Sequence, residues 1–120
     1  MVKKIPSKYA FGQIPKTGHF EFGGNISPSI SWKNAPEETK SFVIICHDPD
    51  VPSVGDDVNQ EGNIVPADLP RVDFYHWVLA DIPVHITSLA EGEASSEVTA
   101  KGKASGKKAY GLAGLNSYTQ

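Results

Sequence analysis

The apolar positions fall into short blocks of strand length, and the sharpest is Phe42-Val43-Ile44-Ile45-Cys46. The run is rich in β-branched residues and too short for a globular helix, which predicts a buried core strand. It gives way to Asp48-Pro49-Asp50-Val51-Pro52. Neither proline has an N–H to offer a ladder, so the strand is expected to end there. Proline also keeps the residue before it out of the α region. The spacing predicts a stiff corner that holds Asp48 and Asp50 at the mouth of a hydrophobic core.

A second strand is expected over Val72 to Asp81. With a period of two, Val72, Phe74, His76, Val78 and Ala80 share one face, and Asp73, Tyr75, Trp77, Leu79 and Asp81 the other. Both faces carry bulky apolar groups, which suits a strand inside a sandwich. Shorter extended pieces are expected around His19 to Phe22, Ser29 to Trp32 and Ile86 to Leu89. Between the two main strands lies a long loop, Ser53 to Arg71, carrying Asp56, Asp57, Glu61 and Asp68. Loops of this length are uncommon, and a lid or rim for the corner and a variable insertion fit it equally. From Glu91 to Gln120 no helical stripe emerges, and Tyr110 to Tyr118 reads as an irregular Gly-rich loop.

Composition narrows the class. The chain has 120 residues, 39% apolar and 21% charged, which fits one globular domain over residues 1–120. A formal net charge of −3 argues against a nucleic-acid binder. Lys101, Lys103, Lys107 and Lys108 form a local basic run, read as a solvated loop because glycines interrupt it. Cys46 is the single cysteine, so no internal disulfide forms, and it is expected to pack as a small hydrophobe. Met1-Val2-Lys3-Lys4-Ile5-Pro6 lacks the apolar core of a signal peptide, and no run approaches a membrane span. A cytoplasmic protein is the expectation.

Familiar catalytic and metal patterns fail on spacing. An EF-hand register from Asp50 puts Pro52 and Val54 where oxygen ligands are needed. Asp73 and His76 would lie on opposite faces of a strand, so zinc is not expected. The Gly102–Lys108 stretch lacks Walker spacing, and no serine sits in a nucleophile elbow. What remains is a non-metal pocket of Asp48, Asp50 and His76. A histidine supported by a carboxylate keeps one tautomer or stays protonated, and can donate to an anion. The bland alternatives are turn chemistry for the acids and a satisfied core histidine.

The ordered blocks then resemble a known family. Asp48-Pro49-Asp50-Val51-Pro52 resembles the Asp-Pro-Asp-x-Pro signature of phosphatidylethanolamine-binding (Raf kinase inhibitor-like) proteins. Asn25-Ile26-Ser27-Pro28 with Ile30-Ser31-Trp32 is similar to its lead-in, and Tyr75-His76-Trp77-Val78 to its second block. Gly114-x-Asn116-x-Tyr118 is similar to a loop of its bacterial YbhB/YbcL-like branch. The resemblance implies an all-β fold, a β-sandwich of antiparallel sheets with few short helices. It also implies a small pocket for phosphate-type anions, with no cofactor and no metal. Asp48 and His76 would line that pocket, Asp50 would brace the corner, and Pro52 and Phe74 would form its apolar rim. The family's Gly-x-His-Arg-Tyr block has no counterpart, so the domain is expected to be incomplete at its C-terminal side. The chain is then a fragment, a truncated paralogue or a protein whose sheet a second fragment completes, and the resemblance to the bacterial branch implies a homodimer as a further association.

The leading expectation is therefore a non-enzymatic binding protein for a phospholipid head group, a phosphorylated small molecule or a phosphorylated protein, acting in the manner of a kinase inhibitor. A metal-independent phosphoester hydrolase using Asp48 and His76 is the second reading. A protein-interaction module that has lost its ligand is the third.

Overall fold

The computed structural model describes residues 4–119, so the reading of the Met1–Pro6 start falls partly outside them. The chain is mainly β and every pairing is antiparallel, as expected from the sequence; no helix occurs among the described residues. In chain order the strands are β1 (Gly12–Gln13), β2 (Glu21–Phe22), β3 (Ile30–Ser31), β4 (Ser41–Pro52), β5 (Arg71–Pro83), β6 (Ser88–Leu89), β7 (Gly106–Lys108) and β8 (Gly111–Ala113). They form two two-stranded sheets, β1-β2 and β3-β6, and a four-stranded sheet in the order β4-β5-β8-β7. The long β4–β5 hairpin is the frame of the molecule, and Ser53–Pro70 is its connection.

Three irregularities in that hairpin decide which side chains meet. Phe42 pairs with Ile82 and Ile44 with Leu79, so β5 carries one extra residue there. Asp81, with φ of 50°, absorbs it. Cys46 then pairs with Trp77 and His47 with Tyr75, leaving His76 as a second extra residue. Finally Asp48 pairs with Phe74 and Val51 with Val72, so Pro49 and Asp50 on β4 oppose Asp73 alone. Paired residues share a face, and each extra residue shifts the alternation by one. Ile82, Leu79, Trp77 and Phe74 consequently lie on one side with Phe42, Ile44, Cys46 and Asp48.

This overturns the simple period-two assignment for β5, which had separated Phe74 from Trp77 and Leu79. It also explains the core. Leu79 and Ile82, both 0% exposed, pack with Leu89, flanked by Trp32, Phe42, Ile44, Trp77, Ile86 and Tyr110. Trp32 meets Phe42 edge to face with ring centroids 5.5 Å apart.

Other expectations need correction. β4 is not buried on both faces: it lies at the edge of its sheet, with Val43 58% and Ile45 55% exposed. Cys46 is exposed rather than packed as a core hydrophobe. The proline corner does not end the strand. Pairing resumes at Val51 and Pro52, because an edge strand leaves one row of N–H positions unused and the bulge absorbs the misfit. The Gly-rich tail is not irregular either, since β7 and β8 complete the sheet. Gly111, at φ of 149°, lies where a Cβ would stand 2.7 Å from the Ala80 carbonyl oxygen and 3.2 Å from Leu79 Cδ1. Only glycine lets β8 come this close to β5.

Two stability measurements follow. Leu79→Ala should cost about 2–5 kcal/mol in urea unfolding, the range for a fully buried leucine. Asp81→Gly should be neutral or mildly stabilising, whereas Asp81→Val should cost about 1–2 kcal/mol, since a β-branched residue resists positive φ. Equal effects of the two Asp81 substitutions would show that this bulge stores no conformational demand.

Candidate functional site

The third irregularity builds the acid corner. The backbone N–H of Asp50 donates to Asp48 Oδ1 at 2.9 Å, so the half-buried Asp48 closes a local turn with its own carboxylate. Asp50 is exposed and faces Arg71, with Nε 3.8 Å from Oδ1. Asp50 thus meets Asp48 through its backbone and Arg71, across the hairpin, through its side chain. Pro52 is half-buried at the end of the same strand.

His76 stands at the second irregularity. Two residues on from Phe74, it keeps the face of Phe74 and packs on it, ring centroids 4.9 Å apart, and as the extra residue it lets Trp77 join that face too. Phe74 is itself the cross-strand partner of Asp48. Asp48, Phe74 and His76 therefore gather at one end of the sheet. No hydrogen bond joins His76 to Asp48 among the described residues. Its polar partner is Tyr118, whose hydroxyl lies 3.1 Å from Nδ1.

Tyr118 is the residue that a residue-by-residue reading missed. Its segment is stitched along β5: Gly114 N donates to Val78 O at 3.0 Å, and Ser117 N to Tyr75 O at 2.9 Å. The Ser117 hydroxyl in turn accepts from Tyr75 N at 3.0 Å. Asn116 then turns the chain, its Oδ1 accepting from Tyr118 N at 2.9 Å. The phenol ring ends 4.8 Å from Phe74, edge to face. Asn116 two residues before an aromatic was the available signal, though nothing in the spacing says which histidine the ring will meet.

Electrostatics favour a protonated phenol and thiol here. Burial, then the neighbouring Cys46, pushes the Tyr118 phenol above its ordinary value. Burial around the sulfur, then Asp48, does the same for the Cys46 thiol. Nδ1 of His76 faces the Tyr118 hydroxyl, which can donate or accept, and Nε2 has no hydrogen-bond partner among the described residues.

The carboxylate-paired histidine of this structure is a different one. His47 Nε2 lies 2.8 Å from Asp73 Oδ1, and its ring stacks on Tyr75 at 5.0 Å. By the hairpin register this pair is on the opposite face from Asp48 and Phe74. Two concavities border the 53–71 loop, of about 190 Å³ and 180 Å³, lined by Val54, Asp57, Val65 and Leu69 in one case and by His19, Phe20 and Glu61 in the other. Neither includes Asp48, which is half-buried, or His76, which is exposed. No group of three or more acidic, histidine or cysteine side chains suited to a metal occurs among the described residues.

A mainly antiparallel β-domain with a bulged Asp-Pro-Asp corner and a histidine beside it defines the class. Comparison with known proteins gives the family. Residues 2–120 match the model for phosphatidylethanolamine-binding proteins, and the chain belongs to that family. It is similar to the UPF0098 protein YbhB of Escherichia coli, at 30% identity over 79% of this chain and 46% of the relative. YbcL of the same organism is 31% identical over 78% and 43%, respectively. A UPF0098 protein of Aquifex aeolicus is 39% identical over 66% and 35%. The chain thus spans less than half the length of these relatives. No solved structure matches it.

The thiol provides a probe of the corner. Asp48→Asn keeps the turn-closing oxygen but removes the charge that helps hold the Cys46 proton. Alkylation by iodoacetamide at about pH 8 should then run faster, because the thiolate is the reacting form. An unchanged rate in mass spectrometry would show that the Asp48 carboxylate does not act on the sulfur.

Proposed function

We propose that this chain is a non-enzymatic binding protein, or the part of one, whose corner takes a phosphate-type anion. A phospholipid head group and a phosphorylated small molecule or side chain share the required chemistry. Family membership supports a binding role. The observation that carries the reading is the contact of His76 with the Tyr118 hydroxyl and with Phe74, the cross-strand partner of Asp48.

The roles divide by chemistry. His76 Nε2–H donates to a phosphoryl oxygen, with Tyr118 holding the tautomer. Asp48 accepts from the remaining P–O–H of a singly ionised phosphate, since a carboxylate and a fully ionised phosphate would repel. Asp50 keeps the corner closed through its N–H, and Pro52 and Phe74 supply the apolar rim. One donor and one acceptor, placed by two neighbouring bulges, hold an anion with no nucleophile assigned to attack phosphorus, so binding without turnover is the expected behaviour.

Titration calorimetry with inorganic phosphate tests this. His76→Ala and Asp48→Ala should each weaken binding at least about tenfold, the scale of a lost charge-assisted hydrogen bond, while the circular dichroism spectrum is retained. Tyr118→Phe should cost several-fold, about 1 kcal/mol. Parent-like binding by all three variants would refute the site. Release of nitrophenol from nitrophenyl phosphate that disappears in His76→Ala would refute binding without turnover.

The pH dependence has a defined sign. A phosphate monoester loses its last proton near about pH 6, and with it the O–H that Asp48 accepts. Affinity should therefore fall as pH rises from about 5.5 to about 7.5. A rise over that interval would exclude Asp48 as the acceptor.

A further inference from the structure

The aromatic surface does not stop at the rim of the corner. Tyr118 also packs against Phe11, ring centroids 6.0 Å apart. Phe11 meets Phe22 edge to face at 5.5 Å, and Phe22 meets Phe20 at 5.3 Å in the same manner. The rings form an unbroken path from His76 through Phe74 and Tyr118 to the β1–β2 hairpin. They are far from buried: Phe11 is 45%, Phe20 46%, Phe22 60% and Tyr118 46% exposed. Four part-exposed rings in contact are an apolar patch that a purely structural role would have turned inward.

The patch is held in place by the backbone beneath it. Gly23 N donates to Phe11 O at 2.9 Å, Gly24 N to Ser7 O at 3.1 Å, and Asn25 N to Ala10 O at 3.0 Å. Gly23 packs so closely on the Ala10 and Ser7 carbonyl oxygens that any Cβ would collide with them. Glu91 ties the segment down from the other side, accepting from Lys8 Nζ at 2.8 Å and from the Tyr9 hydroxyl. The rings are therefore a pre-formed surface, and their placement does not depend on a ligand to order them.

We propose that Phe11, Phe22 and Tyr118 form a subsite for the organic group of the bound phosphoester and that this subsite selects an aromatic group. The inference rests on the anion reading of the corner. Continuity carries it: the Tyr118 phenol that orients His76 is the same ring that abuts Phe11. A phosphate at His76 must direct its ester substituent somewhere, and the apolar surface continuous with His76 and Phe74 is this run of ring faces and edges. Edge-to-face and offset stacking favour a flat aryl group over a small polar one such as aminoethyl.

The test compares inorganic phosphate, phenyl phosphate and aminoethyl phosphate by calorimetry on the full chain. Phenyl phosphate should bind about five- to tenfold more tightly than the other two, the scale of one or two aromatic contacts. Phe22→Ala and Phe11→Leu should remove that gain and leave inorganic phosphate unaffected; Phe11→Leu retains an apolar group so that the hairpin stays packed. Binding of phosphate with no gain for phenyl phosphate would overturn the subsite alone. A gain that survives both substitutions would also overturn it. Failure of every anion to bind would overturn the corner and the subsite together. Concentration-dependent self-association that vanishes in Phe22→Ala, seen by light scattering, would assign the rings to a protein interface instead.

Discussion

The whole arrangement depends on the pairing of β4 with β5, and above all on the places where that ladder carries an extra residue. A regular ladder would put Leu79 and Ile82 on opposite faces, since they are three apart. The bulge at Asp81 puts them on one, and the core is built around that pair. The bulge at His76 shifts the alternation once more, so that Trp77 shares the face of Phe74 as well as that of Leu79. The bulge at Pro49 and Asp50 lets the strand pass two prolines and still pair at Val51 and Pro52.

The site follows from the edge position of β4. Prolines within a central strand would sever ladders on both sides, whereas an edge strand has one side unpaired. An acid corner rich in proline is thus compatible with a twelve-residue strand only where the sheet ends. The other flank of β5 is occupied by β8 and the segment that follows it, and this delivers Tyr118 to His76. β5, which carries His76, consequently has the strand of the acid corner on one flank and the Tyr118 segment on the other. The second histidine of the hairpin, His47, pairs with Asp73 on the opposite face and is kept out of this cluster by the same register.

Much of the frame was legible in the chain. The apolar run from Phe42, the alternation from Val72 and the short extended pieces near Phe22, Ile30 and Leu89 follow from local pattern, and the antiparallel all-β class from the family resemblance. Local pattern also singled out Asp48 and Asp50, because proline spacing restricts backbone conformation within a few residues. It failed at the tail, where Gly111 reads as a loop residue until the approach of β8 to Leu79 shows why no side chain fits there. It failed again at Cys46, where β-branched neighbours suggest burial but the strand is at an edge.

What the sequence determined by itself is therefore the two long strands and three of the short ones, the proline corner and the family to which its ordered motifs point. These depend on residues close together in the chain. Which face each side chain takes was decided only by the tertiary structure. A single extra residue reverses alternation for everything beyond it, and no residue type announces its place without the partner strand. The meeting of His76 with Tyr118 is of the same kind. Residues 42 positions apart come into contact because both are pinned to β5, one within it and the other by backbone hydrogen bonds along its edge.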